Sequence, residues 1–309
     1  MSGMSVPENA SPAVFVRTSS HDLDHYRAQP GNWNVQADQL SRGTFYSQIR
    51  SLQFQDLIVY DNRWGAATLI RGESPAGWVM FGGVILSRRS QVSWCGQVAS
   101  DQVYACTPER QAIEFSLESG AHDIVILVKP DLLTQVAGDT ALERVLRAGL
   151  IDFRHRGPQL LQIVMGHLLR LEQSPELVSH EVIAADIRAE ILAFLELCFK
   201  PLSTAEEWTL PKNRRQDAIH LALLQVWQSA GQTSALDMAR SAGVSQRTLE
   251  FAFKDFMGIT PGKYLKLFRL NESHRILAHG DIGSTRVTEV ALSLCFTHTG
   301  RVSGAYKQL

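Results

Sequence analysis

Gln246, Arg247, Glu250, Phe251 and Lys254 recur at steps of one, three, one and three, which places all five on one face of a helix. Glutamine and arginine can each form paired hydrogen bonds with purine edges in a major groove, and lysine suits a phosphate. Glu250 can accept from a cytosine amino group or stand as a solvated charge. Nearer the chain end, His298, Thr299, Arg301 and Ser303 form a second polar set, with Gly300 and Gly304 among them contributing no side chain. Taken singly, each of these residues is as readily a solvated surface group. Taken as sets on helical faces, they have the chemistry of nucleic-acid readers.

A reader face needs a helix held at a fixed angle. Ala239, Gly243, Val244, Leu249 and Phe253 supply the skeleton of a helix-turn-helix, and Ala291, Cys295, Phe296, Val302 and Tyr306 repeat it 52 residues later at the alanines. The alanine lets two helices cross closely, the turn residue reverses the chain, and the late apolar pair anchors the second helix. Leu249 and Phe253 should point inward, as should Val302 and Tyr306. Ser245 and Thr260 read as helix caps, Pro261 as a first helical residue and Gly258 as a helix stop. Between the two units, Tyr264, Leu267 and Phe268 sit at helical spacing on a long helix ending near Gly280, the rod that would join the two readers.

LDMARSAGVSQRTLEFAFKDFMGITPGKYLKLFRLNESHRIL and VTEVALSLCFTHTGRVSGAYKQL resemble the paired helix-turn-helix domain of AraC/XylS-type transcriptional regulators, over about the last hundred residues. RTLEFAF, RLN and the F-x-H-x-GR segment are most similar to the branch that includes ethanolamine-operon regulators, and DQLSRGTF, with Trp33 upstream, resembles the start of that branch's sensor domain. The resemblance implies an effector-responsive activator with double-stranded DNA and RNA polymerase as partners, and a homodimer. Three residues depart from the pattern. Cys295 stands where glycine is usual, Val302 replaces a bulkier anchor, and Leu309 falls where relatives continue with a phenylalanine-glycine segment and a proline.

Charge is unevenly divided. Residues 212–309 hold 13 Lys+Arg against 7 Asp+Glu, whereas residues 1–211 hold 17 against 24, and the whole chain comes to −1. A basic tail beside an acidic head suits a tail that meets phosphates, although chance alone can partition charge this way. No apolar run approaches the ~20 residues needed to span a bilayer. The start, MSGMSVPENASP, lacks the pattern of a secretory signal and reads as a disordered leader over residues 1–12. Cys95, Cys106, Cys198 and Cys295 are far apart, which argues against a disulfide framework or a zinc site and for a cytoplasmic setting.

The 309-residue chain as a whole divides as an α+β protein. Residues 13–129 read as short strands of a barrel, cupin-like fold or sandwich: Val14–Arg17, Thr44–Ile49, Asp56–Tyr60, Ala67–Ile70, Trp78–Leu86, Ile113–Leu117 and Asp123–Val128. Residues 130–200 turn helical, completing a sensor or dimerisation domain over 13–200. Leu161, Val164, Met165, Leu168 and Leu169 form one apolar stripe; Ile183, Ile187, Ile191, Phe194, Leu195 and Cys198 form another. Either they cover the barrel or they form a dimer seam. Residues 201–215 read as a linker, and 216–309 as an all-α DNA-binding domain with helix-turn-helix units at 234–257 and 286–309, after a support helix Asp217–Ser229.

Enzyme chemistry finds little support. His21 and His25, in an expected loop, and His122 include no His-x-His pair, so a metal-dependent cupin site is not indicated. FGGVILS has adjacent glycines but no helix start for a phosphate loop, and no Gly-x-Ser-x-Gly elbow occurs. No cofactor, metal or catalytic residue is expected. Trp33, Phe45, Tyr60, Trp78, Phe81 and Trp94 could line a ligand pocket or simply form core; Arg88, Arg89 and Arg110 could meet an anion or lie on the surface. The leading expectation is a sequence-specific regulator of transcription. The alternatives are a sensor that acts through hetero-association because its second reader is degraded, and an effector-independent regulator whose head only dimerises.

Overall fold

The computed structural model describes residues 13–28, 35–86, 92–94, 97–100, 103–152, 156–199, 214–281 and 285–296. The leader, Trp33, Cys95, Arg88, Arg89, the stretch 200–213 and everything beyond Phe296 lie outside them. The chain runs β1 (Val14–Ser20), α1 (Leu23–Ala28), β2 (Val35–Gln39), β3 (Ser47–Gln53), β4 (Leu57–Trp64), β5 (Thr68–Glu73), β6 (Val79–Leu86), β7 (Val92–Trp94), β8 (Gln97–Ala99), β9 (Val103–Thr107), β10 (Ala112–Leu117) and β11 (His122–Val128). Then follow α2 (Pro130–Ala137), α3 (Asp139–Ala148), β12 (Leu150–Asp152), α4 (Arg156–Gln173), a 3-10 turn at Pro175–Ser179 and α5 (Glu181–Phe199). The helical tail is α6 (Arg214–Gln228), α7 (Ala235–Ser241), α8 (Gln246–Met257), α9 (Pro261–His279) and α10 (Val287–Ser293).

The strands form two antiparallel sheets, one of seven in the order β1-β3-β4-β11-β6-β9-β12 and one of five in the order β2-β5-β10-β7-β8. Alternation assigns each face. Along β4, Ile58, Tyr60 and Trp64 turn into the space between the sheets, whereas Leu57 and Val59 turn outward under a helical layer. The inter-sheet core is aromatic-rich. Trp94 lies fully buried, stacked on Phe115 at 4.4 Å and 9°. The adjacent glycines of FGGVILS make room on both faces of their strand: a Cβ on Gly82 would stand 2.0 Å from the Trp94 ring in this core, and one on Gly83 would stand 2.6 Å from Tyr104 in the outer cluster under the helices. Of the six aromatics flagged from the sequence, Phe45, Tyr60, Trp78 and Trp94 thus belong to this core, while Phe81 packs outward against Phe199.

The two apolar stripes cover the seven-stranded sheet. Leu161, Val164 and Leu168 of α4, and Ile187, Ile191, Leu195 and Cys198 of α5, are buried in one cluster with Leu57, Val59 and Ile126. Leu169 points away and is 45% exposed. A chain of ion pairs fastens α4 to the sheet. Fully buried Arg50 meets Asp61 and Glu172, each at 2.8 Å, and Arg17 meets Glu172 at 2.9 Å. His122 closes the chain on Asp61. Among the described residues no His/Cys/Asp/Glu group is arranged to hold a metal ion, and no helix is long and apolar enough to cross a membrane.

Several elements differ from the sequence reading. β2, β7, β8, β9 and β12 were not expected; β2 reads as polar because Asp38, on its outer face, is buried against helices and the Gln39 side chain is taken up by the Ser41 and Gly43 carbonyls, so neither is set in water. Strand β3 begins at Ser47, not Thr44. β12 interrupts the stretch expected to be helical, because Leu150–Asp152 pairs with the edge of β9 and buries Ile151. His25 lies on the short helix α1 rather than in a loop, and it is exposed like His21. Arg110 is exposed at a left-handed turn, φ 55°.

Candidate DNA-binding interface

Helices α7 and α8 form the first helix-turn-helix. Ser234 caps α7 by accepting from the Asp237 N–H, and Ser245 caps α8 by accepting from the Thr248 N–H at 3.1 Å. Each hydroxyl satisfies an N–H that the first helical turn leaves without a partner. Between them Gly243 adopts φ 64°, a left-handed conformation that favours glycine. The Val244 N–H then donates to the Ala239 carbonyl at 3.1 Å. Ala239 is 2% exposed where the helices cross, and Leu249 and Phe253 are fully buried. Gly258, with φ 71°, ends α8, and Thr260 followed by Pro261 starts the rod α9.

That anchoring leaves one face of α8 in water. Gln246, Arg247, Glu250, Phe251 and Lys254 are all exposed and line a surface concavity of about 610 Å³. Phe251 is 48% exposed, unusual for a phenylalanine on an otherwise well-packed helix. Its ring lies under the Arg247 guanidinium, 5.6 Å from centroid to carbon, one helical turn away. The aromatic ring therefore limits the rotamers of the arginine that would read a base.

α10 begins the second unit. Its turn reproduces the first in hydrogen bonding: the Phe296 N–H donates to the Ala291 carbonyl at 3.0 Å, as Val244 does to Ala239. Cys295 takes the glycine's place at φ 59°. Arg286 precedes α10 without a side-chain cap, unlike Ser234 and Ser245. His298, Thr299, Arg301 and Ser303, with the anchors Val302 and Tyr306, lie outside the described residues.

The sequence reading missed the contact between the strand-rich region and the tail. The outer face of β2-β5-β10 packs on α6 and α9, with Leu40 and Leu69 joining the core of the helical tail. Asn271 grips the backbone of Gln39: its Oδ1 accepts from the Gln39 N–H and its Nδ2 donates to the Gln39 carbonyl, both at 3.0 Å. Arg71 lies 3.4 Å from Asp38 and 3.7 Å from Glu272, with its guanidinium 5.0 Å from the rings of Trp227 and Phe268. Burial raises the Asp38 carboxyl above its usual range despite Arg71. His220 of α6 pairs with Glu114 at 3.5 Å, which raises the imidazole pKa. One signal was present in the sequence. Within RLN, Arg269 holds the Gly231 and Thr233 carbonyls at 2.9 Å each, and Asn271 makes the contact to the sheet.

Fold and surface together define a two-sheet domain bearing a helix-turn-helix unit with a polar, solvent-facing second helix. Residues 238–309 match a helix-turn-helix domain family. A probable thc operon regulatory protein of Rhodococcus erythropolis is 29% identical over 153 residues, 49% of this chain and 46% of the relative. The chain thus spans about half the length of the curated relative it matches. Among solved structures, the AraC-like transcriptional activator CuxR aligns over 84% of this chain and 96% of its own, at 16% identity and TM-score 0.43. ToxT from Vibrio cholerae O395 aligns over 89% and 92%, at 10% identity and TM-score 0.26.

Proposed function

We propose that the chain is a sequence-specific DNA-binding regulator of transcription, with α8 as its principal base-reading helix. One observation carries this reading: a doubly capped helix, anchored by Leu249 and Phe253, turns five exposed side chains of base- and phosphate-binding type to one side. Arg247 and Gln246 read purine edges, Glu250 accepts from a cytosine, Lys254 holds a phosphate, and Phe251 supports Arg247. His298, Thr299, Arg301 and Ser303 make the lesser contacts of the second reader. The two readers, joined by α9, meet successive major-groove faces about one turn, ~34 Å, apart.

Residues 13–200 act as the sensor or dimerisation domain, 201–215 join it to the reader, and 216–309 bind DNA. A small-molecule effector shifts the population of domain arrangements and so activates transcription through RNA polymerase. The protein works as a cytoplasmic homodimer near the ethanolamine-operon branch; RTLEFAF, RLN and the F-x-H-x-GR segment support that placement. Cys295 at φ 59° and the uncapped start of α10 favour a second reading, in which the second unit is too loose to bind specifically and the chain acts through association with a relative.

Salt-dependent binding of the full chain to its own upstream region, against random DNA of equal length, separates the two. A specificity ratio above about 10³ at physiological salt supports the regulator. A ratio near one, with the fold intact, rejects it in favour of the second reading.

A further inference from the structure

The five-stranded sheet is a shared wall. Its inner residues Val35, Ala37, Ile70, Ile113 and Phe115 belong to the inter-sheet core, and its outer residues Asp38, Leu69, Arg71 and Glu114 face the helical tail. Successive residues of one strand thus touch the two compartments, so a displacement of the strand moves both.

β2 is an edge strand, and an edge leaves backbone N–H and C=O groups without a strand partner. At Gln39 both are taken by the side-chain amide of Asn271, which acts as one further rung of the sheet presented from a helix. Asn271 is 3% exposed, lies near the middle of α9 and also donates to the Leu267 carbonyl at 2.8 Å, which fixes its rotamer. Around this rung the polar contacts are incompletely satisfied. Both Asp38 carboxylate oxygens and Arg71 Nε are buried without a hydrogen bond among the described residues. Charge, at 3.4 and 3.7 Å, and the two aromatic rings hold Arg71 in place. A buried polar contact of this kind fixes orientation more than it adds net stability, and it is sensitive to the loss of any one partner.

We infer that the strand-rich domain and the first reader are oriented by this wall and not by the segment between α5 and α6, with Asn271 and Arg71 as the positioning residues through which the wall sets the attitude of the rod α9. A signal arising between the sheets reaches the readers by loosening the β2–α9 contact. The inference rests on the DNA-binding reading for its consequence, but its structural half is measured without DNA.

The test compares three full-length chains by calorimetric unfolding, by hydrogen exchange at the Gln39 amide and by affinity for the upstream DNA. In the parent a single unfolding transition is expected. A six-residue Gly/Ser insertion after Ala205 should leave that transition single and DNA affinity within about twofold. Asn271→Asp places an oxygen against the Gln39 carbonyl. It should raise exchange at Gln39 at least tenfold, split or broaden the transition and change DNA affinity by more than the insertion does. Glu272→Gln, which keeps size, should act in the same direction and replaces Asn271→Asp if that chain does not fold. The inference is overturned if the insertion uncouples the domains, or if neither substitution changes exchange or the transition. Altered exchange with unchanged DNA affinity overturns its regulatory half. Failure of the parent chain itself to bind DNA rejects the DNA-binding reading, while calorimetry and exchange still decide the structural half.

Discussion

Gly243 and Cys295 occupy equivalent turns with nearly the same left-handed backbone, φ 64° and 59°. Each is followed by an N–H that closes on the alanine of its own unit, Ala239 or Ala291. Glycine adopts this conformation freely, whereas a residue with a Cβ is strained there by roughly 1 kcal/mol. Cys295→Gly should therefore stabilise the second unit by about that amount, seen as a higher denaturant midpoint with an unchanged slope. Equal or lower stability would show that the loss of chain entropy by glycine outweighs the strain.

Arg247 is solvent-exposed, with its guanidinium over the ring of Phe251 on the same helix. Arg247→Ala should leave the unfolding curve within about 0.5 kcal/mol of the parent, as for ordinary surface changes. Operator-specific binding should weaken by roughly 1–3 kcal/mol, with binding to random DNA less affected. Preserved discrimination in a gel-shift competition would remove Arg247 from the reading role.

Lys254 sits one turn beyond Glu250 on the same exposed face, in the last turn of α8. A phosphate contact carries no sequence information, so Lys254→Ala should weaken all duplexes alike. The slope of log affinity against log salt should fall in magnitude by about 0.9. An unchanged slope would assign Lys254 to plain surface.

Asp123 is fully buried between the sheets, accepting from Trp64 Nε1 at 2.6 Å and from Asn62 Nδ2 at 3.0 Å. Burial outweighs these bonds and raises its pKa to about 7. The folded chain therefore keeps a proton that the unfolded chain releases near pH ~4. The stability this contributes is complete below about pH 4 and declines as pH rises toward about 7. Asp123→Asn removes the titration, so its stability relative to the parent should increase from pH 4 to pH 7 and then level off. Parallel stability curves in urea across that range would contradict the raised pKa.

Much of the first helix-turn-helix was legible because its determinants are local. Ser245, Gly258, Thr260 and Pro261 act within one helical turn, and burial of Leu249 and Phe253 follows from the 3.6-residue period. Strands that read as apolar runs, such as Leu57–Tyr60 of β4 and Ile124–Val128 of β11, were likewise visible. β2 was not, because Asp38 and Gln39 imitate a surface loop until α9 is placed over them.

The sequence by itself determined which residues turn, cap and anchor the helix-turn-helix, and which polar side chains share its outer face, since each depends on neighbours a few positions away. Only the tertiary structure decided that the apolar stripes of α4 and α5 cover a sheet, and that Trp94 fills the space left by Gly82. It also decided that Asn271 completes the edge of a strand 232 positions earlier in the chain. Periodicity shows that a face is buried but not what buries it, and an amide can find a backbone partner anywhere the chain brings one within 3 Å.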